Sequence, residues 1–441
     1  MNKSLFGTDG IRGPYGSEGM NDHIAYRLGL AIGQHLKNQN ISAGSVILGR
    51  DPRISGKNLQ RACSAGIKKA GYQALDAGIL PTPALAFGTA YLQAKMGVMV
   101  TASHNPAADN GLKLFSAKGG KLSIPEENEM ERLLLTTEPD DIYYEEGEEI
   151  EVRTEYVKNI CKFFPKNFLS GEKVLLDTAN GATCTTSPEV FSRFGAEVIC
   201  LHNGTGMINE NAGSEHPEDL IAQITRSSAC LGVAHDGDGD RAVFIDPSGK
   251  LINGDQILGL LARYAHKHDR LKERGFVATV HSNSGLDTSL ASIGIELHRA
   301  NVGDRNVSDL MKKTGCNWGG ESSGHVLAHD YLPTGDGLFT ALSLACALIE
   351  SNKTLTEITN WVKLWPSRSS SFGVDEKVPL DYCPEIQECL TQSIDSLGHE
   401  GRILLRYSGT EPRIRLLVEA KDEKLMNDIF FKMQGTIEKT L

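Results

Sequence analysis

The sequence predicts α/β domains arranged in series, and three observations carry that expectation. Apolar strand-like runs alternate with helical patterning along the whole chain. Three of the runs break abruptly into short polar loops: Gly97-Val-Met-Val into Thr101-Ala-Ser-His-Asn-Pro106, Leu231-Gly-Val-Ala into Asp236-Gly-Asp-Gly-Asp-Arg241, and Asn317-Trp into Gly319-Gly-Glu-Ser-Ser-Gly-His325. Loops beyond the carboxyl ends of strands are where α/β sheets bind ligands. The composition agrees: 441 residues, 40% hydrophobic and 23% charged, have room for several cores and exclude a disordered chain.

Taken in order, Val46-Ile-Leu-Gly reads as a buried strand, residues 58–70 as a helix, and Gly97-Val-Met-Val as a second buried strand. Ser123 with Pro125 just inside, then Glu126-Glu127 and Leu133-Leu-Leu, has the cap and first-turn chemistry of another helix. The acidic run Glu145-Glu-Gly-Glu-Glu149 reads as a solvated crossing. A second unit opens with a helix from Thr154 to Phe164 and the strand Lys173-Val-Leu-Leu-Asp177, and closes with Val243-Phe-Ile-Asp before the turn Pro247-Ser-Gly-Lys. A third holds a helix after Asp255, the strand Phe276-Val-Ala-Thr-Val and a helix over 337–350; a small tail from about Ser367 ends in a strand over 414–418 and a last helix.

Charge and cysteines narrow the function class. A formal net charge of -11 argues against nonspecific nucleic-acid binding, which needs a basic face. No apolar run approaches a membrane span, Met1-Asn-Lys-Ser-Leu-Phe lacks a signal-peptide core, and nine cysteines lie scattered without a C-x-x-C pair. A cytoplasmic protein with reduced thiols, binding neither nucleic acid nor membrane, is expected.

The aspartate loop is the strongest single motif. Carboxylates two residues apart with glycine between them can converge on one ion, and oxygen-only ligands favour magnesium, manganese or calcium over zinc. A calcium hand would need glycine sixth and glutamate twelfth, where Arg241 and Pro247 stand. A Gly/Asp-rich surface turn has the same composition, but the adjacent arginine points to an anionic ligand. Ser103 lies outside any Gly-x-Ser-x-Gly elbow, so an accessible hydroxyl that takes and returns a phosphoryl group fits better than a hydrolase nucleophile; a serine in an ordinary turn is the competing reading.

A phosphoserine carries about -1.5 to -2 charges, and with three aspartates one divalent ion leaves the site strongly negative. Arg12, Arg241 and Lys113, all in glycine-containing turns, are the candidate counter-charges. Lys113 could also move protons if cations and burial lower its pKa. Glu321, Ser323 and His325 offer donors and acceptors suited to a sugar. Arg406-Tyr-Ser-Gly-Thr-Glu-Pro-Arg-Ile-Arg415 has the parts of an anion nest, with Arg406, Ser408, Gly409, Thr410 and Arg415 gripping a phosphate and Arg413 facing solvent.

Together, Gly7-Thr-Asp-Gly-Ile-Arg-Gly13, Thr101-Ala-Ser-His-Asn-Pro106, Asp236-Gly-Asp-Gly-Asp-Arg241, Gly320-Glu-Ser-Ser-Gly-His325 and Ser408-Gly-Thr-Glu-Pro412 resemble the α-D-phosphohexomutases over essentially the whole length and in family order. The resemblance implies a heart-shaped enzyme with a central cleft: three similar α/β mixed-sheet domains, 1–152 with the phosphoserine loop, 153–250 with the metal loop and 251–366 with the sugar loop, plus a smaller α+β domain, 367–441, with the phosphate loop. It implies phosphoryl exchange between the 1- and 6-positions of a sugar through a sugar 1,6-bisphosphate. One Mg²⁺ would be held by the phosphorylated Ser103 with Asp236, Asp238 and Asp240. Catalytic roles would fall to Ser103, Lys113, Arg12 and His104, and substrate contacts to Arg241, Glu321, Ser323, His325, Arg406, Ser408, Gly409, Thr410 and Arg415.

The early glycine motif, the length and Val302-Gly-Asp-Arg305 are most similar to the amino-sugar branch, which supplies UDP-N-acetylglucosamine and cell-wall polymers. Ser322 stands where that branch usually has glutamine, and Pro52 where threonine is expected. The near alternative is a phosphomannomutase/phosphoglucomutase; a metal-dependent sugar phosphatase and a noncatalytic sugar-phosphate sensor are more distant. A homodimer, and first phosphorylation of Ser103 by a kinase or by itself, are open partner questions.

Overall fold

The computed structural model describes residues 5–7, 9–137, 141–408 and 412–441. The chain forms two compact units, a larger one of residues 1–280 and 295–360 and a smaller one of residues 281–294 and 361–441.

The larger unit holds three mixed sheets. The first runs in the order Phe6–Gly7, Gly10–Pro14, Asp109–Ser116, Met96–Val100, Ser45–Arg50, Gln73–Ile79, Glu148–Glu149. The second runs Ala242–Ile245, Leu231–His235, Lys173–Asp177, Glu197–Leu201, and the third Glu296–Ala300, Gly275–Thr279, Trp318–Gly320, Val326–Ala328. Each of the three polar loops is the hairpin at which its sheet changes direction. Met96–Val100 lies parallel to Ser45–Arg50, and the chain returns antiparallel as Asp109–Ser116. Leu231–His235 is parallel to Lys173–Asp177 and returns as Ala242–Ile245. Trp318–Gly320 is parallel to Gly275–Thr279 and returns as Val326–Ala328. An antiparallel return needs only a short connection, whereas a parallel crossover needs a helix; the functional loops are therefore short and anchored by strands at both ends.

The helices follow their sequence signals. Asp22–Asn38, capped by Asn21, buries Ile24, Leu28, Ile32 and Leu36 at helical spacing against a core that includes Val46, Leu48, Val98 and Val100. Each such side chain fully buried contributes about 1.5–3 kcal/mol. Ser123 and Glu126 complete a capping box at the start of Ile124–Thr136. The acidic run departs from a plain solvated crossing: Glu148–Glu149 pairs parallel with Leu75–Asp76 as an edge strand, while Glu145 and Glu146 meet Lys68, Arg61 and Lys57. All nine cysteines are free thiols, and among the described residues no helix is long and apolar enough to cross a membrane.

The smaller unit carries an antiparallel sheet, Ser367–Gly373, Arg413–Ala420, Gly401–Tyr407, covered by Pro384–Leu397 and Glu423–Thr440. Its segment 281–294 is tied in through Glu419, which accepts from the Ser284 amide at 3.0 Å, the Ser284 hydroxyl at 2.8 Å and Arg402 Nε at 2.7 Å.

Within the larger unit, Asp336 is buried and caps Gly337–Ser351, its Oδ1 accepting from the Phe339 amide at 3.0 Å. Its Oδ2 accepts from the Tyr156 and Tyr331 hydroxyls at 2.8 and 2.9 Å. Burial outweighs those bonds and pushes the carboxyl up to about 6. A raised folded-state pKa means that Asp336 supports the fold most below its unfolded value of about 4, and that this support is lost as pH rises through about 6. Asp336→Asn, which keeps a capping oxygen, should gain stability relative to the parent between about pH 4 and pH 7, by at most about 3 kcal/mol. Thermal unfolding across that range checks it; a pH-independent difference contradicts the assignment.

Candidate active site

Ser103 differs from its sequence expectation in two respects. Its residue is fully buried rather than accessible, and its backbone is left-handed at φ 51°, a strained turn reached without a Gly-x-Ser-x-Gly motif. That conformation costs a non-glycine residue about 1–2 kcal/mol. The Ser103 amide donates to Thr101 Oγ1 at 2.8 Å, and its hydroxyl donates to Asp236 Oδ2 at 2.5 Å. His104 Nδ1 lies 3.4 Å from the hydroxyl oxygen; burial, then Arg241, lowers the His104 pKa.

Asp236, Asp238 and Asp240 are all buried and can bring ligand oxygens within 4.8 Å of one another. Oδ1 of Asp238 and Oδ1 of Asp240 have no hydrogen-bond partner among the described residues, an arrangement suited to a hard cation. Burial, followed by Asp240 and Asp238, raises the Asp236 pKa well above the usual carboxylate range, as expected of crowded like charges. The loop is held by its backbone: the carbonyls of Gly237, Asp238 and Gly239 accept from the amides of Ala182, Thr82 and Gly337 at 2.8, 2.9 and 3.0 Å. Thr82 Oγ1 adds a 2.6 Å bond to Asp238 Oδ2. Gly239 adopts φ 73°, which glycine alone takes without strain.

Lys113 lies among carboxylates, not the cations that a lowered pKa would require. Its Nζ is 2.7 Å from Asp238 Oδ2, 3.2 Å from Asp240 Oδ2 and 3.0 Å from Asp9 Oδ2. Burial disfavours its charge, but Asp238, Asp240 and Asp9 outweigh burial and raise the pKa, so the expected easily deprotonated amine is replaced by a fixed ammonium. Asp9 also pairs with Arg12 and Lys121; Arg12 thus reaches the site through Asp9. Lys121 continues to Asp304 at 2.6 Å, and His325 lies between Asp304 at 3.4 Å and Asp240 at 3.5 Å. These contacts close a ring of alternating charge through Lys113, Asp9, Lys121, Asp304, His325 and Asp240. His325 is buried; the burial cost to its charge is outweighed by Asp240 and Asp304, which raise its pKa.

The remaining sugar-loop candidates present polar groups. Ser323 is exposed, and Glu321 Oε1 accepts from the Gly303 amide at 2.9 Å. Arg241 Nε approaches Asp240 Oδ1 at 3.7 Å, and its amide donates to Asp236 Oδ1 at 3.2 Å. In the smaller unit Arg406 and Arg415 are direct cross-strand neighbours, which sets two like charges side by side. Arg406 Nη2 meets His281 Nε2 at 2.8 Å, and Arg415 Nη2 donates to Ser408 Oγ at 3.4 Å. Arg413 does not face solvent as expected: it is half-buried and donates to Ser371 Oγ and O at 2.9 and 2.7 Å. Gly409 and Thr410 lie outside the described residues.

Sequence reasoning missed Asp9, Thr82, Lys121, Asp304, Arg53 and Asn209. Asp9 and Asp304 stood inside quoted motifs, Gly7-Thr-Asp-Gly and Val302-Gly-Asp-Arg305, and an acid beside glycine was the available signal. Arg53 is buried and paired with Asp51 at 3.0 Å, and Asn209 donates to the carbonyl of Ser103 at 2.7 Å.

Family models for phosphoglucomutase/phosphomannomutase match in order: alpha/beta/alpha domain I at residues 3–140, domain II at 154–249, domain III at 253–364 and the C-terminal domain at 376–433. A phosphoglucosamine mutase from Campylobacter fetus subsp. fetus is 42% identical over 433 residues, covering 96% of each chain. A phosphoglucomutase/phosphomannomutase family protein from Burkholderia thailandensis superposes with a TM-score of 0.84 at 23% identity, over 99% of this chain and 97% of that one. An Aspergillus fumigatus N-acetylphosphoglucosamine mutase, solved in complex with GlcNAc-6P and magnesium, gives 0.68 at 17% identity, over 99% and 96%. Four family domains in order and a relative of this identity along nearly the full length establish that the chain belongs to the phosphoglucomutase/phosphomannomutase family, in its phosphoglucosamine mutase branch.

Proposed function

We infer that the chain interconverts glucosamine 6-phosphate and glucosamine 1-phosphate, with Ser103 as the phosphoryl carrier. The observation that carries the reading is the Ser103 hydroxyl, buried and 2.5 Å from the first aspartate of a cation-competent cluster, in a chain 42% identical to a phosphoglucosamine mutase. Phosphorylated Ser103 gives its phosphoryl group to the free 1-hydroxyl of glucosamine 6-phosphate. The bond from Ser103 Oγ to phosphorus breaks, a bond from sugar oxygen to phosphorus forms, and the sugar proton leaves to a base. The resulting 1,6-bisphosphate returns its 6-phosphoryl group to Ser103, and glucosamine 1-phosphate departs.

Asp236, Asp238 and Asp240, together with a phosphoserine oxygen, would hold Mg²⁺, which when bound supplies charge neutralisation for the transferring group. Lys113 holds the Asp238 and Asp240 carboxylates in place, Arg241 offsets negative charge, His104 is the proton carrier beside Ser103, and His325 joins the substrate contacts of the sugar loop. Glu321 and Ser323 are assigned to the sugar hydroxyls and amine. Arg406, Ser408, Gly409, Thr410 and Arg415 are assigned to the phosphate that is not being transferred. Ser322 is exposed within the sugar loop, and its change from glutamine leaves a phosphomannomutase/phosphoglucomutase preference as the second reading.

Ser103→Ala should fold normally, lose turnover and carry no phosphate by intact mass; phosphate remaining on the variant would identify another carrier. Asp238→Asn should raise the half-saturating Mg²⁺ concentration roughly tenfold or more and lower kcat, measured by metal titration of turnover. Parallel assays should favour glucosamine phosphate over glucose and mannose phosphates, with little inorganic phosphate released. Equal rates on mannose would transfer the protein to the second reading, and rapid phosphate release would make it a phosphatase.

A further inference from the structure

The Ser103 carbonyl sits at the meeting point of three separate segments. Arg53 Nη2 donates to it at 2.9 Å and to the Asn105 carbonyl at 2.9 Å. Asn209 Nδ2 donates to the same two carbonyls at 2.7 and 2.9 Å. Gly237, in the aspartate loop, packs so closely that a Cβ there would fall 2.7 Å from the Ser103 oxygen and 2.9 Å from Asn209 Nδ2.

Both donors are fixed before they reach the serine. The Arg53 guanidinium directs its remaining N–H groups to Asp51 Oδ2 at 3.0 Å, to the Asp109 carbonyl at 2.9 Å and to the Pro106 carbonyl. Every donor of a fork that carries five is therefore engaged within one loop and its anchor. Asp51 also accepts from the hydroxyl of Thr101 at 2.6 Å, and Thr101 receives the Ser103 amide. Asn209 is itself left-handed at φ 60°, and its amide donates to the Ala179 carbonyl at 2.9 Å. Its loop is gathered by Asn180 Oδ1, which accepts from the amides of Gly204, Thr205 and Gly206 at 3.0, 3.1 and 3.3 Å.

A left-handed serine relaxes by rotating its peptides, which would swing Oγ away from Asp236. Donors fixed on the carbonyl oppose that rotation, and the close approach of Gly237 ties the serine's position to the metal loop. We propose that Arg53 and Asn209 are positioning residues for phosphoryl transfer: together they clamp the Ser103 and Asn105 carbonyls and hold the nucleophile in its left-handed conformation, aimed at the aspartate cluster. This rests on Ser103 as the phosphoryl carrier.

The test compares the parent with Asn209→Ala, the near-isosteric Asn209→Asp and Arg53→Lys. Phosphate at Ser103 is mapped after exposure to glucosamine 1,6-bisphosphate, and single-turnover transfer from the phosphorylated enzyme to glucosamine 6-phosphate is timed alongside KM and thermal unfolding. Asn209→Ala should still be phosphorylated at Ser103 and transfer roughly 10- to 100-fold more slowly, with KM and melting temperature close to the parent. Asn209→Asp, which turns an acceptor toward two carbonyls, should be slower still despite its conserved volume. A parental transfer rate in Asn209→Ala, or an aspartate variant as fast as the parent, overturns the clamp. Phosphate mapping to a residue other than Ser103 in the parent overturns the carrier assignment itself. Arg53→Lys, if folded, should show the same loss in transfer rate with KM unchanged; a proportional rise in KM with kcat preserved counts against it.

Discussion

The closed ring of alternating charge through Lys113, Asp9, Lys121, Asp304, His325 and Asp240 is the constraint on which the rest of the site depends. Its members come from strand, helix and loop positions around all three sheets of the larger unit, so it sets the relative placement of the serine-bearing hairpin, the aspartate loop and the sugar loop. Buried ions are costly singly and tolerable only when paired and hydrogen-bonded. Removing one member leaves an uncompensated charge, at about 3–5 kcal/mol, which favours the arrangement in which all the contacts form together. Lys113 illustrates the trade: with 2% of its side chain exposed, it is held by three carboxylates from two loops.

Around that ring, the fold repeats one solution. A buried parallel strand ends, the chain makes a short polar hairpin, and an antiparallel strand returns. The hairpin exposes backbone groups that its own sheet cannot pair, and neighbouring segments satisfy them. Ala242 donates to the Gly324 carbonyl at 3.2 Å, joining the second hairpin to the third, while Thr82 and Gly337 secure the aspartate loop from two further directions. Arg305 paired with Glu127 adds a side-chain tie between the helices starting at Asp304 and Ile124.

What the sequence disclosed follows the range of the interaction. The aspartates were legible because their convergence needs only alternate residues and glycine, and the Ser123–Glu126 cap because its partners are three residues apart. Strands such as Lys173–Asp177 announced themselves by apolar runs between turn residues. Arg53, Asn209 and Lys121 act on partners far away in the chain, and nothing local distinguishes them from surface polar residues, whereas Asp304 offered only its neighbouring glycine as a signal. Lys113 was found as a residue but misjudged electrostatically, since its neighbours' charges are a property of the fold. The strained Ser103 was hidden for a related reason: its conformation is imposed by contacts from Arg53 and Asn209, with no glycine pattern beside it.

The complete burial of Ser103 bears on a competition between acceptors. A phosphate ester on an exposed serine meets water at every moment and a sugar only on encounter, so even a poor hydrolytic rate would drain it between turnovers. Enclosure changes the frequency of those meetings more than the chemistry of either. The Ser103 hydroxyl faces Asp236, and its carbonyl is covered by Arg53 and Asn209; an acceptor must therefore displace or be admitted by the surrounding loops. A sugar with several hydroxyls can exchange enough hydrogen bonds to do so, whereas a lone water gains little by entering. In the proposed transfer, selectivity over loss would reside in admission to the serine, and the residues that enclose it would govern how long the group is retained.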